Sequence, residues 1–333
     1  MGAFLDRWLS TLPGHVADST LDDYEDTVRL HLKPGLGRHK LTALTVAHVD
    51  ALWQAKRATY KPNSVRIMRA VLRKALGQAE REGLVARNVA ALSMPPRINT
   101  DEGRTLTVDQ SRQLLDAVAE HRMGALVLLS LVFGLRRGEA LGLMWSAFDP
   151  DARTLRVTHA VKRVKNRDVD AGRRTKLVIS ELKTRKSRRT LCLTSELVDA
   201  LRRHRALHNA ERLQAGQEWA EHGLIFPTSS GNPSDPDTFS HLFSKLAQRA
   251  GLGHWHPHEL RHSGASLMLA QGTPLHVVSD VLGHASISIT KDVYGHLMEG
   301  DKRAATAAIS GALLGRQKPV APRMAPKGGE ETG

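Results

Sequence analysis

The chain has 333 residues, enough for two ordinary domains with sizeable cores, and its 41% hydrophobic content excludes wholesale disorder. Lys and Arg outnumber Asp and Glu by 48 to 34, a formal charge of +14, which points to a polyanionic partner: nucleic acid or an acidic membrane surface. The single cysteine, Cys192, excludes an internal disulfide framework and a cysteine-rich zinc site, and it suits a reducing cytoplasm.

The N-terminal stretch "MGAFLDRWLSTLPG" is amphipathic and carries an acidic residue, so it does not read as a signal peptide. Residues 1 to 92 read as helical. Thr20 is placed to cap "LDDYEDTVRLHL", which "KPGLG" ends, and Thr45 to cap "VAHVDALWQAKRATY". Asn63 or Ser64 opens "VRIMRAVLRKALGQAERE", which Gly83 stops. That helix carries Arg66, Arg69, Arg73 and Lys74, which in so basic a chain are candidates for a DNA-facing surface. "SMPPRINTDEGRT", 93 to 105, is polar with two prolines and reads as a linker.

A second unit, 106 to 315, starts where Thr107 and Gln110 have capping-box spacing. The apolar run "ALVLLSLVFGL", 125 to 135, is too short for a bilayer and reads as a buried helix, which favours nucleic acid over membrane. "TLRVTHAV" (154 to 161), "KLVISEL" (176 to 182) and "RRTLCL" (188 to 193) suggest a small antiparallel sheet, with "KTRKS" turning between the last two strands. After Ser195 the chain reads as helical apart from the loop "GLIFPTSSGNPSDPD", and residues 316 to 333 as a disordered tail. The fold class expected is therefore mainly α with a small antiparallel β-sheet.

"HPHELRHSGAS", 256 to 266, admits two chemistries. H-E-x-x-H sets His258 and His262 on one helical face with Glu259 between them, the spacing of a zinc hydrolase. No third histidine occupies the expected position downstream, and Pro257 places the motif in a first helical turn, where the dipole favours an anion. The alternative spelling, H-x-x-R, pairs His258 with Arg261, whose planar fork of donors matches two phosphate oxygens.

The downstream sequence decides between them. "HELRHSGASLMLAQGTPLHVVSDVLGHASISITKDVYGH", 258 to 296, resembles the second conserved box of the tyrosine recombinases, the phage-integrase family. "FGLRRGEALGLMW", 133 to 145, resembles the first, and "LKTRKSRRTLCL" the family's β-hairpin, with the catalytic lysine at the end of its first strand. The resemblance is strong over 105 to 300, whereas residues 1 to 92 match only in size, helicity and charge.

The resemblance implies a helical core-binding domain (1 to 92) and a mixed α+β catalytic domain forming a C-shaped clamp around double-stranded DNA at specific recombination sites. It implies a catalytic set of Arg136, Lys183, His258, Arg261, His284 and Tyr294, with Tyr294 the nucleophile and Arg136 and Arg261 the phosphate clamp. Lys183 would protonate the 5′ oxygen, His258 would assist proton transfer, and His284 would hydrogen-bond the phosphate. His262 is expected only to support or pack, His254 and His256 have no role, and Glu139 is a candidate brace for Arg136. Arg185 and Lys186 join the DNA-contact candidates, no metal or cofactor is required, and the working assembly is a homotetramer. The helix 301 to 314 is the candidate for docking on a neighbouring subunit, and an accessory DNA-bending or directionality factor is compatible with the family. The sequence opens directly on core-binding-type helices, which puts an arm-site role in doubt. The resulting expectation is a cytoplasmic, metal-independent integrase-type recombinase that integrates or excises a mobile element. A chromosome-dimer resolvase, a topoisomerase-like nicking enzyme and a zinc hydrolase are the alternatives.

Overall fold

A computed structural model describes residues 1–94, 103–167, 172, 174–182, 186–294 and 309. Fourteen α-helices and five short strands are arranged around two separate hydrophobic cores among these residues.

The first core is built by α1 (Gly2–Ser10), α2 (Asp18–Thr27), α3 (Lys33–Leu36), α4 (Val46–Arg57), α5 (Pro62–Arg81) and α6 (Val89–Leu92). α4 opens as expected on Thr45, whose hydroxyl accepts from the His48 amide while His48 Nδ1 accepts from the Thr45 amide, both at 3.3 Å. α5 buries Val65, Met68, Leu72, Leu76 and Ala79, a stripe at helical spacing, and ends before Gly83 at φ +70°. Two expected starts are corrected. α5 begins at Pro62, because proline's fixed φ suits a first turn, and α2 begins at Asp18, whose charge complements the free amides there, with Thr20 already inside the helix. A π-turn, Val28–Leu32, carries α2 into α3.

The second core gathers α7 (Val108–Ala117), α8 (Gly124–Phe133), α9 (Arg137–Leu141), α10 (Ser195–Ala215), α11 (Pro236–Arg249) and α12 (Pro257–Ala270). The Thr107 capping box forms as predicted, with the Thr107 amide on Gln110 Oε1 at 3.0 Å and the Gln110 amide on Thr107 Oγ1 at 3.2 Å. The apolar run is the buried α8, and no described helix is long and apolar enough to cross a membrane. α12 lies directly against α8 because Gly264 has no side chain; a methyl there would overlap the Leu131 carbonyl. α13 (Leu275–Leu282) and α14 (Ile287–Tyr294) close the described chain around a small cluster of Ala265, Val278, Leu282 and Tyr294.

The β structure departs from the expectation of one sheet. β1 (Phe148–Asp149), β2 (Thr154–Val157) and β5 (Arg189–Cys192) form one antiparallel sheet, while β3 (His159–Lys165) and β4 (Thr175–Glu181) form a separate hairpin. The expected strand 154 to 161 therefore divides at Thr158. Its buried positions, Leu155 and Val157 then Ala160 and Val161, change phase there, so one alternating strand cannot hold both pairs. β4 pairs with β3 and β5 with β2, so the last two strands do not pair with each other; residues 183–185 between them lie outside the described residues.

The two cores meet where acidic α2 contacts the basic end of β3. Asp22 accepts from the Lys165 amide and from Arg167, each at 3.1 Å, and Lys165 Nζ lies 3.0 Å from Asp26.

Candidate active site

Four segments bring the predicted residues together. Gly134, left-handed at φ +56°, ends α8 and turns the chain so that Arg136 becomes the residue before α9. α12 supplies His258, Arg261 and His262. Gly283, left-handed at φ +66°, ends α13 and delivers His284, and α14 supplies Tyr294.

The centre is a chain of charges. Glu139 Oε1 receives Arg136 Nη1 at 2.7 Å, and its Oε2 receives Arg189 Nη2 at 2.9 Å. Arg136 Nη2 also donates to the Gly283 carbonyl at 3.2 Å, and Arg189 Nε to the Val281 carbonyl at 2.6 Å. Burial alone would raise the Glu139 carboxyl, but the two guanidiniums overcome it and hold the group below the ordinary carboxylate range.

Arg261 is 3% exposed and donates to the Gly134 carbonyl through Nη1 at 2.5 Å, while its Nη2 is buried with no hydrogen-bond partner among the described residues. Burial, then the neighbouring Arg136, pushes its pKa down to about 10, so it stays charged at neutral pH. A buried guanidinium nitrogen without an acceptor is costly unless an anion completes it.

His284 Nδ1 sits 2.7 Å from Thr290 Oγ1, and burial followed by Arg261, Arg136 and Arg189 pushes the ring down to about 4. Tyr294 is 4% exposed, and burial pushes its phenol up to about 12 against the pull of Arg261. Its Oη lies 2.7 Å from Nδ1 of His262, not of His258. His258 stands at the exposed mouth of the site, its ring edge-to-face on His262 at 4.8 Å between centroids. Desolvation of the crowded ring, then His262 and the two arginines, lowers its pKa.

Five of the six predicted catalytic residues thus converge; Lys183, with Arg185, lies outside the described residues. Lys186, two residues beyond Thr184, donates to the Ala285 carbonyl at 2.8 Å beside His284. Arg137, the neighbour not chosen, is held by Asp237 at 3.0 Å and Ser240 at 2.7 Å. In the first core, Arg66 and Arg73 are exposed. The Arg69 guanidinium is held by Ser93 Oγ at 3.0 Å, the Ser93 carbonyl at 2.7 Å and the Ala91 carbonyl at 3.0 Å. Lys74 donates to the Tyr24 hydroxyl at 3.1 Å.

Glu259 accepts from the His256 amide at 2.7 Å and lies 3.3 Å from Arg104, while His262 faces Tyr294. Among the described residues no group of three or more His, Cys, Asp or Glu side chains is placed to hold a metal ion.

The sequence reading missed Arg189 and the contact made by His262. Arg189 shares the inward phase of Leu191 and Leu193, and a buried strand arginine demands a buried carboxylate; that signal was available once β5 was placed. The pairing of His262 with Tyr294 spans 32 residues and depends on how α13 folds back, which no local pattern shows.

Residues 104–300 match the family described as "Phage integrase family", and residues 1–57 match "Phage integrase, N-terminal SAM-like domain". An integrase from Streptomyces ambofaciens is 33% identical over 284 residues, covering 83% of this chain and 70% of its own. A tyrosine recombinase XerC-like protein from Caldanaerobacter subterraneus subsp. tengcongensis is 32% identical, covering 70% of this chain and 62% of its own, so this chain spans less than two thirds of that relative. The tyrosine recombinase XerC of Chromohalobacter salexigens is 31% identical, covering 89% of this chain and 92% of its own. In fold, the chain is similar to the Tn1549 transposon integrase in complex with transposon right end DNA, with a TM-score of 0.77, 18% identity, and 92% and 99% of the two chains covered. With the family model covering more than half of the sequence, the chain belongs to the phage integrase family of tyrosine recombinases, a family of DNA breaking and rejoining enzymes.

Proposed function

We propose that this chain is a site-specific DNA recombinase of the integrase type, cutting and rejoining DNA through a 3′-phosphotyrosine on Tyr294. The observation that carries the reading is the buried Nη2 of Arg261, without a hydrogen-bond partner among the described residues, beside Arg136 and with the Tyr294 hydroxyl held in the same cluster. Arg136, Arg189 and Arg261 against Glu139 leave two uncompensated positive charges, which match the two negative charges of a pentacoordinate phosphorus transition state.

Arg136 and Arg261 clamp the non-bridging oxygens, and Lys183 protonates the departing 5′ oxygen. His284 stays neutral at pH 7; if the Thr290 hydroxyl donates to its Nδ1, its Nε2 carries the proton and donates to the phosphate. Attack by a partner strand's 5′ hydroxyl reverses the step. Residues 1–92 and 106–315 act as the two halves of a clamp joined by the 93–105 linker. The backbone is held by exposed cations such as Arg66 and Arg73. A lambda integrase tetramer has been seen bound to a Holliday junction, and a homotetramer on paired sites is the assembly proposed here.

The test is trapping. The protein is incubated in EDTA with pooled DNA fragments from its own genomic neighbourhood and quenched with SDS. Protein–DNA adducts that survive chelation support the reading, and the fragments recovered identify the site. Adducts that require added divalent metal contradict it.

A further inference from the structure

We propose that His262 is the base that takes the phenol proton of Tyr294. The inference rests on the phosphotyrosine reading above and deepens it.

The geometry assigns the contact. Nδ1 of His262 lies 2.7 Å from Tyr294 Oη, while the exposed His258 meets the His262 ring edge-to-face at 4.8 Å between centroids. The direction of the bond comes from counting donors. Among the described residues Tyr294 makes no other hydrogen bond, so if His262 donated from Nδ1 the buried phenol proton would be left without an acceptor. The neutral ring protonated on Nε2, accepting at Nδ1, satisfies both groups. His262 is held in this pose by α12, which Gly264 lets pack tightly on α8, so the base is mounted on a rigid helix.

In the cleavage step the Oη–P bond forms and the P–O5′ bond breaks. The phenol proton passes to Nδ1 of His262, and the 5′ oxygen takes a proton from Lys183. In rejoining, the imidazolium returns its proton to Oη as the phenolate leaves phosphorus. At rest no transfer occurs: burial keeps the phenol near 12, while desolvation and Arg261 hold the His262 ring below its ordinary value. The proton moves only as the new bond to phosphorus removes the basicity of Oη. An empty site thus keeps a protonated, unreactive nucleophile, and the imidazolium formed during attack, more acidic than a free one, is poised to return its proton in the reverse step.

The test uses the full chain and the cleavage site recovered by trapping, in single-turnover adduct formation. His262→Ala and His262→Asn are compared with wild type, each checked for site binding and thermal melting. His262→Asn, which keeps a polar side chain but not a base, is expected to be slower by about 10²–10⁴-fold, the usual contribution of general base catalysis. Added imidazole is expected to restore His262→Ala by about tenfold or more, by supplying the missing base. Installing a fluorotyrosine at 294, a more acidic phenol, is expected to shrink the His262→Ala defect, because a nucleophile that ionises more readily needs its base less. A merely structural role would respond to neither change. Adduct formation by His262→Asn within about twofold of wild type overturns the inference, since base catalysis carries a far larger factor. So does a folded, DNA-binding His262→Ala enzyme that neither imidazole nor the fluorophenol improves. If His262→Ala does not fold, His262→Asn decides alone. Lack of any adduct with wild type would sink the reading of the whole site, whereas a wild-type adduct with an unimpaired His262→Asn sinks only the assignment of His262.

Discussion

Glu139 holds Arg136 on one carboxylate oxygen and Arg189 on the other, at 2.7 and 2.9 Å, with its own side chain almost wholly buried. Breaking such a buried pair by removing one partner typically costs about 3–5 kcal/mol. Glu139→Gln is therefore expected to lower stability in chemical denaturation by that order and to slow adduct formation by about 10²-fold, the usual loss when a group aimed at transition-state charge is misplaced. Because the residues act as one unit, Glu139→Gln combined with Arg189→Met should cost less than the two single changes added together. Additive losses would show that Arg189 and Glu139 act independently.

Gly283 links the same network to His284. Its φ of +66° suits glycine, and a Cβ there would lie 2.9 Å from Arg189 Nη1 and 3.2 Å from its Cζ. Gly283→Ala should cost about 1–2 kcal/mol from the left-handed backbone alone. Displacement of Arg189 should make the loss of cleavage larger than the loss of DNA binding. A binding assay beside single-turnover cleavage measures the split, and equal losses would argue against it.

The site histidines set a pH dependence of stability. His284, His258 and His262 all have folded pKa values below the ordinary 6.5, with His284 at about 4. Between those limits the unfolded chain binds more protons, so stability rises with pH through this window and is lost as pH falls from 6.5 towards 4. Glu139, held down by its arginines, adds the same sign at the acidic end: its contribution is present above 4.5 and is lost as pH falls through the lower folded value. Urea midpoints measured from pH 7 to 4 should fall, and His284→Asn should flatten the upper part of that slope. A midpoint that stays constant across the window would contradict the lowered pKa values of these rings.

In the first core the four basic candidates should separate. Arg66→Ala with Arg73→Ala should leave melting unchanged and reduce the slope of log affinity against log salt by about 1–2, one unit for each phosphate no longer neutralised. Arg69→Ala should instead lower melting, because its guanidinium holds Ser93 and the Ala91 carbonyl. If Arg69→Ala changes only the salt slope, the assignment is reversed.

Much of this was legible in the sequence where information is local. The Thr45 cap, the Thr107 capping box and the apolar α8 are each fixed by residues a few positions apart, and Arg136, His258, Arg261, His284 and Tyr294 stand in short motifs that resemble those of a known family. The helix starts at Asp18 and Pro62 were misplaced because more than one residue near each could open a turn. The strand pairing was missed for a different reason. "HAVKRVK" is too charged to read as a strand over its whole length, yet the hairpin extends to Lys165, whose charge is met by Asp26 from the other core. The bond between His262 and Tyr294 and the bridge from Glu139 to Arg189 join residues 32 and 50 positions apart, and only the packed fold brings them together.

The most direct measurement is the chemical identity of the covalent link. Adduct trapped on the recognition site would be digested with protease and nuclease and the linked peptide sequenced by mass spectrometry, with Tyr294→Phe carried in parallel. The account predicts a single phosphotyrosine at position 294 attached to the 3′ end of the cleaved strand, a free 5′ hydroxyl opposite it, and no adduct from the variant despite normal binding. A link at Tyr24, Tyr60 or a serine, a 5′ attachment, or an adduct that persists in Tyr294→Phe would contradict it.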